Sequence, residues 1–325
     1  MKTPNPKESL TAEQIQQFHE IGYLVLDDIF SDEDLQTVID GINGEVDGFA
    51  RKRQAEGKLE NLYEDYGFEQ RLAKIVEETG ESAVQIWDNR ESTFPAFFSL
   101  LTHERFLNRL ESLLGEEIIC SSIFRLRPKA PNQGQTNMPW HQDSAYFEPF
   151  CDSNLILSAW VPLVDTTEEN GCLWFLPKSH KSGVVTHNNL EGKPFLRILQ
   201  ENLPKHERPI CVPVKKGSAV IFTNRTPHCS FENHTDQVRW AFDFRYQSTQ
   251  LPTNAKITRL ENEITPETDP HAPISCRPPD PDFLVRSKKR THEVITTVEA
   301  FMRLREEHGT GWKMTKRWEK VASGA

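Results

Sequence analysis

This sequence of 325 residues lacks the features of a membrane or secreted protein. No apolar stretch approaches the roughly 18 residues of a membrane-spanning helix, and the polar N-terminus carries no apolar run of the signal-peptide kind. The six cysteines are scattered and include no Cys-x-x-Cys pair, so we expect reduced, packed thiols rather than a disulfide framework. We therefore expect a soluble, cytoplasmic protein that does not engage a membrane.

The chain also has fewer positively charged than negatively charged residues. The chain has 38 Lys and Arg residues against 48 Asp and Glu residues, which gives a formal net charge of −10. A surface that follows nucleic-acid phosphates needs an excess of Lys and Arg, so this balance argues against a nucleic-acid partner. The hydrophobic content of 37%, with 10% aromatic residues, is sufficient for a globular core.

The N-terminal part of the chain carries helix signals. Thr11 and Gln14 form a capping box at the start of a helical periodicity, and Gly22 is placed to end that helix. Ser31 is the expected N-cap of a second helix. We therefore predict that residues 10–82 form a mainly helical part.

The pattern changes after this part. From 83 to 247, short apolar or alternating runs are broken by Gly, Pro and Asn, which is typical of an antiparallel sandwich or barrel. Residues 248–325 begin as a proline-rich extended segment and then show helical periodicity over about 291–307. We predict one domain over 1–325, with a mainly β core at 83–247 and a C-terminal extension at 248–325.

A His-x-Asp pair, His141 and Asp143, lies in a short polar run. Side chains at i and i+2 of an extended strand point to the same face, so both could hold one ion while Gln142 points away. His228 lies 87 residues later, just past an apolar run that predicts a strand. Two histidines and one carboxylate are the ligands of a non-haem Fe(II) oxygenase, and they leave three coordination positions for substrates. These three residues are the predicted catalytic and metal-binding residues.

Arg239 follows His228 by eleven residues and opens an alternating β segment. A charge in that position is unusual unless it binds an anion, and a guanidinium pairs bidentately with a carboxylate. Ser230 could add a hydroxyl donor. A carboxylate anchor close to an iron site indicates 2-oxoglutarate as a co-substrate. His187 and His206 have no spacing partner, and we expect them on the surface.

These residues belong to a set of motifs that resembles the phytanoyl-CoA dioxygenase-like family of Fe(II)/2-oxoglutarate-dependent oxygenases over about residues 10–247. The motifs are Phe18-x-x-x-Gly22-Tyr23-Leu24-Val25, His141-Gln142-Asp143, Trp160-Val161-Pro162-Leu163-Val164-Asp165, Glu169-Asn170-Gly171-Cys172-Leu173-Trp174-Phe175-Leu176-Pro177-Lys178-Ser179-His180, His228-x-Ser230 and Arg239. The resemblance implies a mainly β fold with flanking helices around a double-stranded β-helix, the jelly-roll or cupin-like core.

The resemblance also implies roles for particular residues. It makes the His-x-Asp pair and the distant histidine the iron ligands. It implies that Arg239 and Ser230 hold the distal carboxylate of 2-oxoglutarate and that Trp160 lines the cofactor pocket. Many family members carry a lysine where Ala83 stands, and we expect Arg127, or its neighbour Arg125, to replace that cofactor contact.

The sequence as a whole predicts an Fe(II)- and 2-oxoglutarate-dependent dioxygenase. It would use O2 to hydroxylate an aliphatic C–H bond of a small molecule, release succinate and carbon dioxide, and be supported by ascorbate. Asp143 favours hydroxylation, or a related desaturation or cyclisation, because related halogenases lack this carboxylate. The alternatives are an acyl-CoA α-hydroxylase of the phytanoyl-CoA type and a non-catalytic jelly-roll protein that binds metal and 2-oxoglutarate. A monomer or homodimer is expected.

Overall fold

The computed structural model describes residues 8–83, 95–147, 149–190, 195–251, 282–308, 318 and 320–321. Most helices lie in the N-terminal third, and the strands follow. The helices are α1 (Ala12–Ile21), α2 (Asp32–Ala55), α3 (Arg71–Thr79), α4 (Phe97–Leu101), α5 (Glu104–Leu114) and α6 (Val298–His308). The strands are β1 (Tyr23–Leu26), β2 (Ile118–Cys120), β3 (Arg125–Leu126), β4 (Met138–His141), β5 (Leu157–Pro162), β6 (Leu173–Phe175), β7 (Asn188–Leu190), β8 (Leu196–Arg197), β9 (Ile210–Val212), β10 (Ala219–Thr223), β11 (His228–Ser230), β12 (Ala241–Ser248), β13 (Phe283–Arg286) and β14 (Lys320–Val321).

The first two helices begin where the sequence predicts. The Thr11 hydroxyl accepts a hydrogen bond from the Gln14 backbone at 3.2 Å, and the Thr11 backbone donates to the Gln14 side chain at 3.0 Å. Ser31 and Asp34 form the same reciprocal box at the start of α2. Each box satisfies two backbone donors that a helix start leaves without partners, so the predicted starts of α1 and α2 are confirmed.

Two antiparallel sheets form the core. The larger has the order β1-β10-β5-β12-β2-β13, with β3 beside β12, and the smaller has the order β4-β11-β6-β9. A cluster of apolar side chains from both sheets lies between them, and a larger cluster joins the outer face of the larger sheet to the helices. This arrangement confirms the predicted fold class, a mainly β core of the jelly-roll kind with flanking helices. The boundaries of a single domain over 1–325 stay a prediction.

Strand β12 shows how the sequence assigns its two faces. Phe242 and Phe244 point outwards into the core shared with the helices. Ala241 belongs to the cluster between the sheets. Because side chains alternate along a strand, Asp243 and Arg245 share the inward face with Ala241. The interior of the barrel is therefore partly charged at this strand.

The turn after α1 requires a glycine. Gly22 has φ 94° and donates its N–H to Phe18 O at 2.8 Å, which is a left-handed helix end. A Cβ at this position would lie 2.8 Å from Thr226 Oγ1 and would also collide with the His180 ring. His180 Nε2 lies 3.1 Å from His19 O, so this histidine packs the turn.

We expect Gly22→Ala to lower the free energy of unfolding by about 2 to 5 kcal/mol, because it combines left-handed strain with overpacking. Urea unfolding measures the change. Gly44 lies inside α2 with nothing within 4 Å of its added Cβ, so Gly44→Ala should be neutral or stabilising. A Gly22→Ala protein as stable as the Gly44→Ala control would contradict this account of the turn.

The C-terminal extension packs back onto the core. Its strand β13 pairs with β2, and Phe301 of α6 is fully buried. The helix begins at Val298 rather than near 291, because Thr297 Oγ1 accepts the Ala300 N–H at 3.2 Å and so caps it. Further on, Trp318 Nε1 donates to Ala145 O at 2.7 Å. Most of the predicted extended segment, 252–281, lies outside the described residues.

Four of the described cysteines are free thiols, Cys120, Cys172, Cys211 and Cys229. Two of them approach each other, with Cys172 Sγ 3.1 Å from Cys211 Sγ. Cys276 lies outside the described part of the chain. None of the helices in the described ranges has the length and apolar character needed to cross a bilayer.

Candidate metal centre

The two predicted histidine ligands are direct partners across one strand pair. His141 ends β4, His228 begins β11, and the two residues face each other in the antiparallel register. Their ring centroids are 4.1 Å apart. His228 had been expected just past a strand. It instead opens a strand of its own, which holds it against β4 on one side and β6 on the other.

Asp143 completes the group, but not from a strand. Gln142 has φ −116° and ψ 138°, and a 3-10 turn begins at Asp143. One extended residue between them is enough to keep His141 and Asp143 on the same side, as predicted. Asp143 Oδ1 lies 3.8 Å from His141 Nε2 and 4.0 Å from His228 Nε2. The Gln142 side chain points away and donates to Gly183 O at 2.8 Å.

Backbone carbonyls orient both imidazoles. His141 Nδ1 lies 2.8 Å from Pro139 O, and His228 Nδ1 lies 3.0 Å from Thr226 O. A carbonyl only accepts, so Nδ1 carries the proton and Nε2 presents its lone pair towards Asp143. Burial lowers the pKa of His141 well below its usual range and lowers that of His228 too. Both rings are therefore neutral at pH 7, which is the form that binds a metal.

The Asp143 carboxylate is held from the opposite side by Arg245. Arg245 Nη2 donates to Asp143 Oδ1 at 3.1 Å and Nε donates to Oδ2 at 3.2 Å, while the Ser158 hydroxyl donates to Oδ2. Burial alone would raise the pKa of Asp143, but the Arg245 guanidinium outweighs it and holds this pKa well below its usual range. The carboxylate is thus charged and fixed before any ion arrives.

Sequence reasoning missed Arg245 and Asp243. The signal was present, since both alternate with aromatic residues along β12 at the period of two that places charges on one face. Their contact partners could not be read from that period. His187 was also wrongly placed on the surface. It is 1% exposed, because its Nε2 accepts the Gln142 N–H at 2.9 Å and supports the segment between the metal-site residues.

Arg239 lies in the interior, as the sequence suggests. It is 4% exposed, and its Cζ lies 5.3 Å from the centroid of the Trp160 ring. Its Nη1 makes a long 3.5 Å contact with Arg127 O, and its buried Nε has no hydrogen-bond partner among the residues that the structure describes. Burial lowers the pKa of Arg239 to about 10, so the group is still cationic at pH 7.

The other two predicted cofactor contacts come from different sheets, Ser230 from the smaller sheet and Arg127 from the segment after β3 of the larger sheet. Ser230 is buried in β11 and is two residues from His228, so both side chains share one face. Arg127 follows β3, and its Nε donates to Asp243 Oδ2 at 2.6 Å. The structure brings these residues to one interior. It does not by itself assign a cofactor contact to either.

The donor set matches the implied metal and co-substrate. Two neutral imidazoles and one carboxylate, with ligand atoms within 4.8 Å of one another, suit Fe(II) and leave open positions. Arg239 is buried, makes one long hydrogen bond and has an Nε without a partner among the described residues, which is costly unless an anion pairs with the guanidinium. The distal carboxylate of 2-oxoglutarate has the matching planar geometry. Fold and site together define a non-haem iron oxygenase that depends on 2-oxoglutarate.

Comparison with known proteins identifies the family. The phytanoyl-CoA dioxygenase (PhyH) family matches residues 18–241, and the chain belongs to this family. It is 25% identical over 282 residues to a phytanoyl-CoA dioxygenase of Arabidopsis thaliana, which covers 80% of this chain and 96% of that protein. It is 26% identical over 231 residues to a probable alpha-ketoglutarate-dependent hypophosphite dioxygenase of Stutzerimonas stutzeri, covering 69% of this chain and 74% of that one.

A solved structure supports the fold. The epimerase SnoN, crystallised with Fe3+, alpha-ketoglutarate and nogalamycin RO, superposes with a TM-score of 0.52 at 19% identity, covering 84% of this chain and 98% of SnoN. The family and the His-Asp-His site make this protein an iron- and 2-oxoglutarate-dependent enzyme.

The Arg245 contact predicts a measurable effect on metal binding. We expect Arg245→Gln to raise the Kd for Fe(II) by about 10- to 100-fold, because the carboxylate loses the bidentate partner that aims Oδ1 at the histidines. Anaerobic titration with Fe(II), or with Co(II) as a spectroscopic substitute, measures this. Arg303→Gln, at an exposed position on α6, is the matched control. An unchanged Kd in Arg245→Gln would remove Arg245 from the metal site.

Proposed function

We propose that this protein is a 2-oxoglutarate-dependent dioxygenase that hydroxylates an aliphatic C–H bond of a small-molecule substrate, with release of succinate and carbon dioxide. The observation that carries the proposal is the pairing of a His-Asp-His site with the buried Arg239 guanidinium in the same barrel, whose Nε has no hydrogen-bond partner among the described residues. The first group suits the metal and the second suits the co-substrate. A protein that only bound metal would not need the second.

Each residue has a defined task in this proposal. His141, Asp143 and His228 would hold Fe(II) through Nε2, a carboxylate oxygen and Nε2. The bound metal and 2-oxoglutarate together supply the oxidising chemistry, with O2 as the oxidant. Arg239 and Ser230 would bind the distal carboxylate of 2-oxoglutarate and so fix its direction relative to the metal.

The surroundings of the site keep it dry and rigid. Trp160 is 4% exposed and packs beside Arg239, so it would line the co-substrate pocket and exclude water. Excluding water strengthens the pairing of a guanidinium with a carboxylate. Asp143 fills a metal position that a halide would otherwise need, which favours hydroxylation, or a related desaturation or cyclisation, over halogenation. Arg127 stays a predicted co-substrate contact.

An acyl-CoA α-hydroxylase is the second candidate. The similarity to the Arabidopsis phytanoyl-CoA dioxygenase, which spans 80% of this chain, favours it. Phytanoyl-CoA offered to the Fe(II)-loaded enzyme separates the two candidates. A 2-hydroxyacyl-CoA product detected by mass spectrometry would select this alternative, and unchanged phytanoyl-CoA would exclude it.

Succinate release tests the proposed function directly. The purified full-length protein is incubated with Fe(II), 2-oxoglutarate, O2 and ascorbate, and succinate is quantified by mass spectrometry. Slow release without added substrate is expected, because the proposed metal ligands and co-substrate contacts all come from this chain. Release that is stopped by removing Fe(II) with a chelator and restored by adding it back supports the proposal. No release above the metal-free level contradicts it.

A further inference from the structure

The interior of the barrel carries a row of charges that extends beyond the metal ligands. Asp143 is bound by Arg245, and Arg245 Nη1 also contacts Asp243 Oδ1 at 3.4 Å. Asp243 Oδ2 in turn accepts from Arg127 Nε at 2.6 Å. The row therefore runs from the metal site outwards through alternating positive and negative groups. Its outer end is Arg127.

Exposure increases along this row. The side chain of Asp143 is 3% exposed, that of Arg245 is 13%, and that of Arg127 is 31%. Arg127 uses only Nε in the row, and its two terminal amino groups donate no hydrogen bond to any residue in the described ranges. These two amino groups are the part of the row that an incoming molecule can reach.

The row itself is neutral, but the row and Arg239 together retain positive charge when the enzyme is loaded. Bound Fe(II) and the 2-oxoglutarate dianion together add no net charge. Asp143 and Asp243 then oppose Arg127, Arg239 and Arg245, which leaves one positive charge in this group. The whole chain carries a net charge of −10, so this local excess is not a reflection of overall composition.

Two described cationic residues lie close to this group. Lys129 lies across a β-bridge from Arg239, but burial lowers its pKa to about 6, so it adds little charge at pH 7. Arg125 faces Asp243 across the strand pair. Tyr146 lies beside the metal ligands, with its ring edge-on to His141 at 6.0 Å. The contacts from Asp143 through Arg245 and Asp243 connect the metal site to the more exposed Arg127.

We propose that the substrate is a small organic acid, and that Arg127 binds its carboxylate while the C–H bond to be oxidised lies at the metal. This inference rests on the proposed function and narrows its substrate class. An uncompensated charge in a partly dry pocket is costly, and a monoanion removes that cost. The two free amino groups match the two oxygens of a carboxylate, which orients the substrate as well as attracting it.

The test compares each acid with its neutral counterpart. Butyrate, hexanoate and benzoate, each beside its primary amide, are titrated into full-length protein loaded with Fe(II) and saturating 2-oxoglutarate without O2. Isothermal titration calorimetry gives each Kd. In the wild type we expect at least one acid to bind about tenfold or more tightly than its amide, which is the size of one charge-assisted contact.

Substitutions assign this preference to a residue. Arg127→Gln should reduce the acid preference to about twofold or less, and Arg127→Lys, which keeps the charge without the fork, should retain part of it. Arg303→Gln should leave it unchanged. Thermal melting verifies that each variant folds. If Arg127→Gln does not fold, Arg127→Lys still tests the proposal.

Three results would overturn the proposal. One is the absence of any acid preference in the wild type, and another is a preference that survives in both Arg127 variants. The third is a preference that disappears as 2-oxoglutarate is raised, since the acids would then occupy the co-substrate position at Arg239. If Arg127→Gln instead weakens only the binding of 2-oxoglutarate, Arg127 contacts the co-substrate, as the sequence predicts, and not the substrate. Because the titration excludes O2, its outcome is independent of succinate release, which tests the oxygenase function.

Discussion

Replacing Asp143 with alanine should reduce succinate release by at least about 1000-fold, and His141→Ala and His228→Ala should do the same. Each substitution removes one of three protein ligands, so the ion is held weakly and the face left for 2-oxoglutarate is no longer defined. The measurement is succinate formed with Fe(II), 2-oxoglutarate and O2. In parallel, Fe(II) binding is titrated, because a ligand variant should lose both succinate release and Fe(II) binding.

The controls separate loss of the metal from loss of the fold. Asp143→Ala removes the bidentate partner of the buried Arg245 charge and leaves only its 3.4 Å contact with Asp243, which lowers stability on its own account. Asp143→Asn keeps a side chain of the same shape, and it should also be inactive because the amide binds metal poorly. His206→Ala, at an exposed histidine, should retain full activity. Wild-type turnover in any correctly folded ligand variant would falsify the metal-site assignment.

Replacing Arg239 with glutamine should raise the KM for 2-oxoglutarate by at least about 30-fold. The lost interaction is a buried charge-assisted pair, and truncating one side of such a pair costs about 2 to 5 kcal/mol. The residual kcat at saturating 2-oxoglutarate should fall less, because the metal ligands remain in place. Steady-state succinate formation over a range of 2-oxoglutarate concentrations measures both constants.

Companion variants show whether the effect is specific to the co-substrate end. Ser230→Ala removes one neutral donor, so its KM for 2-oxoglutarate should rise only about 3- to 10-fold. The Fe(II) Kd of Arg239→Gln should remain close to that of the wild type when 2-oxoglutarate is absent. An unchanged KM for 2-oxoglutarate in Arg239→Gln would show that the distal carboxylate binds elsewhere.

The sequence predicted the parts of the site that depend on short spacings. The His141-x-Asp143 pair needed only one extended residue between its members, and the cap at Thr11 needed only its neighbour three residues on. His228 and Arg239 were found because each stands next to a run that reads as a strand. Local geometry decides such features, so they can be predicted from a single sequence.

Contacts made through sheet register could not be predicted in this way. Arg245 and Asp143 are 102 residues apart. The register of β12 on β5 places Arg245 opposite Ser158, whose hydroxyl also binds Asp143. A change of one residue in that register would turn Arg245 into the apolar core. His187 was misplaced for a similar reason, since its hydrogen bond to the Gln142 backbone depends on how two distant loops meet.

The direct pairing of His141 with His228 has a consequence for the stability of the protein without metal. An ion bound by both residues joins two strands whose histidines are 87 positions apart, and so closes a long loop much as a covalent crosslink does. Cellular iron at 100 times its Kd would add about 2.7 kcal/mol to the stability of the folded state. Iron supply would therefore govern how long each copy of the enzyme survives proteolysis, as well as how fast it catalyses its reaction.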